Sequence, residues 1–485
     1  MQYKWLVLSN TTVATLMAAI DTNIVLIALP TIGAKLPGSS PASLLWILLG
    51  YSLVTAVVLL NFGRLSDMFG RVRLYVIGFA VFTVGSLLCG LSQTGIELVG
   101  FRMVQAVGAG FLFSNSAAII TDAFPPGERG RALGINQVSI VAGAVVGLVL
   151  GGIITSTLGW PWIFFVNVPI GAIATYRAHR DLKEPPRPER LEPVDWIGNT
   201  MFALGLGLIL LALTFGSLGE WSLVETIAGL ATGGVLLLAF VVVERMVAYP
   251  MLDLRLFRNA QFTDSSLASF LNALARGAFT FVMVFYLQGP PDFLSPFAAG
   301  VVLIPVSASL AVAGPLSGSL SDRYGRRWFI WTGLGASLAA FLWLATIPSG
   351  APFALLLGPF VLLGAGMGLF ASPNRAAMMN AVPPSHRGVA SGLGTTLLNT
   401  GSTISLGITL AVLSRAMPLA SLEAILLGHA PAGGGIAAEF LAGVHLVFLL
   451  SAAFVLAAIA LTVLRHRRSQ RRFPMDRLAL RDDVA

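Results

Sequence analysis

Fourteen stretches of this 485-residue chain are long enough and apolar enough to cross a bilayer as helices: 6–32, 43–63, 73–92, 96–121, 132–156, 160–178, 195–215, 223–243, 262–288, 297–319, 328–347, 353–379, 388–412 and 440–464. A spanning helix needs roughly 20 mostly apolar residues, because in hydrocarbon every backbone N–H and C=O must be satisfied within the segment itself. A chain built this way is an all-α integral membrane protein. Its charge content agrees. Only 11% of its residues are charged, against about 25% in soluble chains, too few to cover a water-facing surface. The first stretch carries Asp21 and no small-x-small cleavage pattern, so it is read as a retained span, not a signal peptide.

The basic residues set the expected orientation. With the N-terminus in the cytoplasm and strict alternation, 25 of the 30 Lys and Arg fall in cytoplasmic segments and two, Lys35 and Arg415, fall outside. Arg102, Arg276 and Arg375 lie within spans or at their edges. One miscounted helix would invert every later segment and erase this bias. The expectation is an even number of spans with both termini cytoplasmic.

The chain also repeats itself. The glycine-bounded charged stretch Gly63-Arg64-Leu65-Ser66-Asp67-Met68-Phe69-Gly70-Arg71, read as a short loop between two spans, recurs 255 positions later as Gly318-Ser319-Leu320-Ser321-Asp322-Arg323-Tyr324-Gly325-Arg326. Gly108-Ala109-Gly110 recurs as Gly364-Ala365-Gly366, and Pro125-Pro126 as Pro383-Pro384, at offsets of 256 and 258. Two related halves are expected, as in transporters built from structural repeats. The offset leaves room for two extra spans between the halves. The predicted layout is a six-helix bundle over 1–180, a linker with two inserted helices over 181–260, a second six-helix bundle over 261–465 and a basic tail over 466–485 that can meet anionic headgroups. The segment 413–439 is read as a loop.

In the repeated stretch the glycines permit a sharp turn, Asp67 can cap a helix, and Arg71 can pair with Asp122 at the end of the fourth span. The second copy offers Gly318, Asp322, Gly325 and Arg326, but Asn380 stands where Asp122 has its counterpart. Only the first half is therefore expected to form the full charged network. Asp21 lies about eight residues from the outer end of its span, and Arg102 about six from the outer end of its own. At about 1.5 Å per residue they reach similar depth. Ionisable groups inside a membrane are costly and call for a reason. Either the two form a static bridge or they take part in transport. Arg276, one helical turn from Asn272, can line a cavity, meet an anionic group or bond to backbone carbonyls. Asn23, Gln105, Asn136, Gln137, Asn167 and Asn399 can add cavity contacts or tie helices together, and Asp264 and Arg375 read as interfacial pairs or caps. Gly143, Gly147 and Gly151, with Gly152 beside them, give the fifth span a flat face for close packing.

The repeated stretch resembles the signature between the second and third helices of the major facilitator superfamily. Three other stretches resemble the signatures of its fourteen-helix drug:proton antiporters, the EmrB/QacA type: Ala19-Ile20-Asp21-Thr22-Asn23 through Pro30, Arg102-Met103-Val104-Gln105 through Gly110, and Gly143-Ala144-Val145-Val146-Gly147 through Gly152, with Leu148 where proline is usual. The resemblance implies the major facilitator fold with 14 transmembrane helices (6 + 2 + 6), in which the first and fourth helices face a central cavity. It makes Asp21 the expected proton acceptor or cation site, Arg102 its modulator, Gly63, Asp67, Gly70, Arg71 and Asp122 a cytoplasmic gate, and the glycines of the fifth helix a seal and pivot.

Several classes drop out. There is no phosphate-binding loop ending in Gly-Lys-Ser/Thr, no HExxH, no Gly-x-Ser-x-Gly elbow and no Cys/His cluster, and the one cysteine, Cys89, excludes an internal disulfide. No enzyme, metal or cofactor is expected. The net charge of +8 is spread over short segments and forms no nucleic-acid face. The expected function is proton-coupled export of amphiphilic, often cationic, compounds by a monomer in the plasma membrane, with protons and lipids as its other partners. The alternative is export of one endogenous molecule: a metabolite, lipid, siderophore or self-made antibiotic.

Overall fold

The computed structural model describes residues 2–125, 128–184, 193–290, 292–382, 387–429 and 434–471, with the side chains of 60, 63, 67, 130, 322, 387–389, 391, 434 and 464–471 excluded. The described residues are helical, with no strand. The first half comprises α1 (Tyr3–Lys35), α2 (Pro41–Phe69), α3 (Arg71–Leu91), α4 (Gly95–Ala123), α5 (Arg129–Thr157), α6 (Trp162–Phe165) and α7 (Asn167–Asp181). A hairpin of α8 (Trp196–Ser217) and α9 (Leu223–Met246) follows. The second half comprises α10 (Ala260–Gln288), α11 (Pro296–Tyr324), α12 (Arg326–Leu344), α13 (Phe353–Asn380), α14 (Arg387–Ala416), the short α15 (Leu419–Leu426) and α16 (Gly434–Arg471).

Among the described residues, twelve helices are long and apolar enough to cross a membrane. Two of the fourteen expected spans are not among them, each for a local reason. The sixth is made of two short pieces, α6 and the 15-residue α7, which join at Val166 with helical dihedrals, where Pro169 has no N–H to give the Phe165 carbonyl. The eleventh, α12, is 19 residues long and begins with two arginines, with Trp328, Trp331 and Trp343 diluting its apolar run.

Packing repeats across the halves. α1 lies on α5 as α10 lies on α14; α3 lies on α4 as α12 lies on α13; α2 lies on α4 as α11 lies on α13. The halves meet where α5 packs on α11 and α2 on α14, and α8 seats the hairpin against α2 and α14. α9 packs on α8 and exposes Val224, Ile227, Val235, Leu238 and Val242, an apolar face suited to lipid.

Two expectations are corrected. The repeated charged stretch is not a loop. α2 continues to Phe69, Gly70 alone makes the turn at φ 107°, and α3 starts at Arg71; α11, Gly325 at φ 93° and α12 do the same. The positive φ is the reason both turns are glycine. The segment 413–439 is likewise not a plain loop: α14 reaches Ala416 and α15 folds back, with Leu422, Ile425 and Leu426 buried. Leu148, where proline is usual in the resembling family, leaves α5 unbroken from Arg129 to Thr157.

The charged turns gather at one end of the bundle, here termed the basic end. At the opposite end the halves are in tight contact. A Cβ built on Gly152 of α5 would stand 2.5 Å from the Phe297 Cα of α11, and one on Gly300 2.5 Å from the Leu148 carbonyl oxygen. Gln288 of α10 donates to the Ile27 carbonyl of α1 at 3.0 Å.

Candidate functional site

The chemistry of the first half converges on Asp21, eighteen residues into α1 and completely buried. Its Oδ2 accepts from Arg102 Nη1 of α4 at 2.5 Å. Its Oδ1 accepts from Gln105 Nε2 at 2.9 Å and from Asn167 Nδ2 at 3.0 Å. Arg102 and Gln105 sit three residues apart on one face of α4, and Asn167 is the first residue of α7. Gln105 also donates to Ser86 Oγ of α3 at 2.6 Å and accepts from Arg102 Nη1 at 2.6 Å. Four helices are thus tied at one carboxylate.

Arg102 is 1% exposed, and its guanidinium carbon lies over Tyr51 of α2, 4.0 Å from the ring centroid, with Phe164 at 5.9 Å. Its Nε reaches the Ile47 carbonyl at 3.5 Å. A planar cation between a carboxylate and an aromatic face uses both of its recognition modes at once. Such a pair is expensive to break. Removing one partner of a buried ion pair typically costs about 3–5 kcal/mol. The similar depth expected of Asp21 and Arg102 is realised as direct contact. Asp21 is sealed from solvent among α4 and α7 of its own half.

The glycine face of α5 packs on α1 beside this site. A Cβ on Gly143 would lie 2.8 Å from Ala19 Cβ, on Gly147 2.7 Å from the Ile20 carbonyl oxygen, and on Gly151 2.5 Å from Ile27 Cγ2. Gly152 turns to the other half, against Phe297. Asn136 donates to Thr15 Oγ1 across the same α1–α5 seam at 3.1 Å, whereas Asn23 spends its amide on Ala19 O within α1.

Arg276 is not part of this cluster. It sits partly accessible in the middle of α10 and, among the described residues, has no hydrogen-bond or ion-pair partner. Thr22, in the middle of the otherwise well-buried α1, is also exposed.

At the basic end Arg71 Nη1 meets Asp122 Oδ2 at 2.7 Å, both side chains partly exposed. The side chains of Gly63, Asp67 and Asp322 lie outside the described residues. Gly318 lies within α11, and Gly325 turns into Arg326. In the second half Asn380 also meets its arginine, as a neutral acceptor. With its amide oxygen toward the guanidinium it accepts from Arg326 Nη1 at 2.5 Å and Nη2 at 2.9 Å. At this one position the halves differ as a carboxylate, Asp122, against a neutral acceptor, Asn380. One participant went unforeseen. Glu184, just after α7, accepts from the free N–H groups of Val72 at 3.2 Å and Arg73 at 3.0 Å, so it caps α3. Its carboxylate would lie 3.0 Å from a Cβ on Gly70, a second reason for glycine there. It lies 114 positions after Gly70, and no spacing links the two.

Comparison with known proteins adds the lineage. A family model described as Major Facilitator Superfamily matches residues 11–405 and 265–479. The chain is 33% identical over 399 residues to the riboflavin transporter RibZ of Clostridioides difficile (strain 630), covering 82% of this chain and 86% of that one. It is 32% identical over 399 residues to the multidrug resistance protein Stp of Mycobacterium tuberculosis (strain CDC 1551 / Oshkosh), covering 82% and 74%. Its fold matches the crystal structure of a bacterial homolog of the human lysosomal transporter Spinster in an inward-facing, unoccupied conformation, with a TM-score of 0.68 at 18% identity over 96% of this chain and 97% of that one. The chain belongs to the Major Facilitator Superfamily, a family of multi-pass membrane transporters and not of enzymes, which in a bacterial cell lie in the plasma membrane.

Proposed function

We propose that this protein is a proton-coupled antiporter that exports small amphiphilic compounds by alternating access, with fourteen spans and the basic end, including both termini, in the cytoplasm. The observation that carries the reading is the buried Asp21–Arg102 pair: one carboxylate, three donors and no solvent. A proton can neutralise Asp21 only if Arg102 withdraws, so protonation and a rearrangement of α1 against α4 are one event. The contacts of α5 with α11 and of α1 with α10 at the opposite end support a conformation closed toward the outside. In the opposite conformation Asp21 meets the outer solution, takes a proton and releases Arg102. A proton moved down 100 mV supplies about 2.3 kcal/mol. Arg71 with Asp122, Arg326 with Asn380, and the single-glycine turns form the cytoplasmic gate. The test is efflux from proteoliposomes under an imposed pH gradient, compared with its absence. Gradient-independent efflux of the same size overturns the coupling.

Arg276 favours a second reading of the substrate. An arginine without a partner, partly accessible in the middle of α10, suits a ligand with an anionic group. That fits one endogenous molecule better than a range of cations. The names of the relatives cover both a single vitamin and multiple drugs.

A further inference from the structure

The α8–α9 hairpin has no part in the transport reading, yet its basic-end mouth holds two carboxyl groups away from water. Asp195 is 6% exposed and Glu244 is 3% exposed. Asp195 caps α8, its Oδ1 accepting from Gly198 N at 2.8 Å. Glu244, near the end of α9, accepts from Leu252 N through Oε2 at 2.8 Å. The other two oxygens, Asp195 Oδ2 and Glu244 Oε1, are buried and meet no donor. They converge: a Cβ built on Gly198 would stand 2.6 Å from the first and 2.7 Å from the second. The two carboxyl groups are within hydrogen-bonding reach of each other. Asn199, one turn along α8, has a buried amide oxygen that also lacks a donor.

Two ionised carboxylates in contact and out of water repel each other and leave both oxygens unsatisfied. A single proton between them removes the repulsion and supplies the missing donor. Arg64 of α2 is a nearby cation that acts on Glu244 through space, and among the described residues no hydrogen-bond donor reaches the two oxygens. Arg64 donates to the carbonyls of Tyr249 at 2.9 Å and Pro250 at 2.7 Å. Arg245, Arg255 and Arg258, with Asp253, line the cleft that Glu244 borders.

We propose that Asp195 and Glu244 form a proton-binding site that holds one proton between Glu244 Oε1 and Asp195 Oδ2, and that this proton fastens the inserted hairpin to the end of α2. The connection is short. Glu244 holds Leu252; the residues just before it, Tyr249 and Pro250, hold Arg64; and Met251 Sδ accepts from Asn61 Nδ2 of α2 at 3.3 Å. Arg64 belongs to the repeated charged stretch. Loss of the proton to the adjoining cleft drives the carboxylates apart and loosens this segment from α2. The site stands apart from Asp21 and needs no assumption about what is transported.

The test uses the full-length protein in nanodiscs, titrated while the carboxylic-acid C=O stretch is followed by difference infrared spectroscopy in wild type, Glu244→Gln and Asp195→Asn. One protonated carboxyl is expected at neutral pH in the wild type and absent from both variants. Spin labels at the exposed positions 69 and 246 report the second part. Their separation should grow with rising pH in the wild type and stay fixed in Glu244→Gln, whose amide donates where the proton did. This variant keeps the neutral, hydrogen-bonded geometry, so it also controls for folding. The proposal is overturned if the variants keep the wild-type carboxyl band, if the pH-dependent separation persists in Glu244→Gln, or if sodium at fixed pH abolishes the band, which would assign the site to a metal cation.

Discussion

A carboxylate buried with one arginine and two amides is held as an anion, and the strength of that hold is measurable. Arg102→Ala leaves Asp21 buried without its cation, and a loss of about 3–5 kcal/mol in unfolding stability is expected in a detergent melt. Arg102→Lys should fall between alanine and wild type, because an ammonium keeps the charge but cannot bridge Asp21 and Gln105 while lying over Tyr51. A wild-type melt for the alanine variant would mean that the pair carries no structural weight. Arg276 predicts the opposite pattern. With no bonded partner among the described residues, Arg276→Ala should leave the melt within about 0.5 kcal/mol of wild type while weakening transport affinity, read as a rise in KM. Unchanged KM across anionic and cationic substrates would remove it from the path.

At the scale of helices, the single-residue turns are the parts least tolerant of change. Gly70→Ala puts a Cβ at φ 107°, 3.0 Å from the Glu184 carboxylate, and should cost about 1–3 kcal/mol while slowing turnover. Arg71→Ala breaks a pair that is one-quarter to one-third exposed. Its stability cost is about 1 kcal/mol or less, so the expected effect lies in turnover and not in the melt. Asn380→Asp would replace the neutral acceptor at Arg326 with a carboxylate and should slow the cycle from the second half; faster turnover would reverse that assignment. Gly147→Val forces side-chain atoms toward the Ile20 carbonyl, and overpacking by about 1–3 kcal/mol is expected.

Much of this was legible before any coordinates. The apolar runs placed twelve spanning helices, the duplicated charged stretch pointed to the packing pattern shared by the halves, and counting residues along antiparallel spans put Asp21 level with Arg102. What the sequence could not show are the meetings between distant segments. Asn167 reaches Asp21 from 146 positions further along the chain. Glu184 caps α3 from beyond α7, and Asp195 finds Glu244 across a whole hairpin. The charged stretch read as a loop because Ser, Asp and Gly suit loops, yet apolar neighbours keep α2 helical to Phe69.

In the molecule as a whole, one buried carboxylate lies in the first of two bundles that share a packing pattern and touch at the end away from the charged turns. Bundles related in this way can rock about a midplane site. The proposed coupling at Asp21 is then the step that makes rocking vectorial. The most direct measurement is uphill transport by Asp21→Asn in proteoliposomes with a pH difference of one unit, which for one proton is about 1.4 kcal/mol and sets roughly a tenfold limit on accumulation. Wild type is expected to approach this limit, while Asp21→Asn folds, exchanges substrate downhill and accumulates none. Accumulation by Asp21→Asn to the wild-type level would contradict the coupling at Asp21.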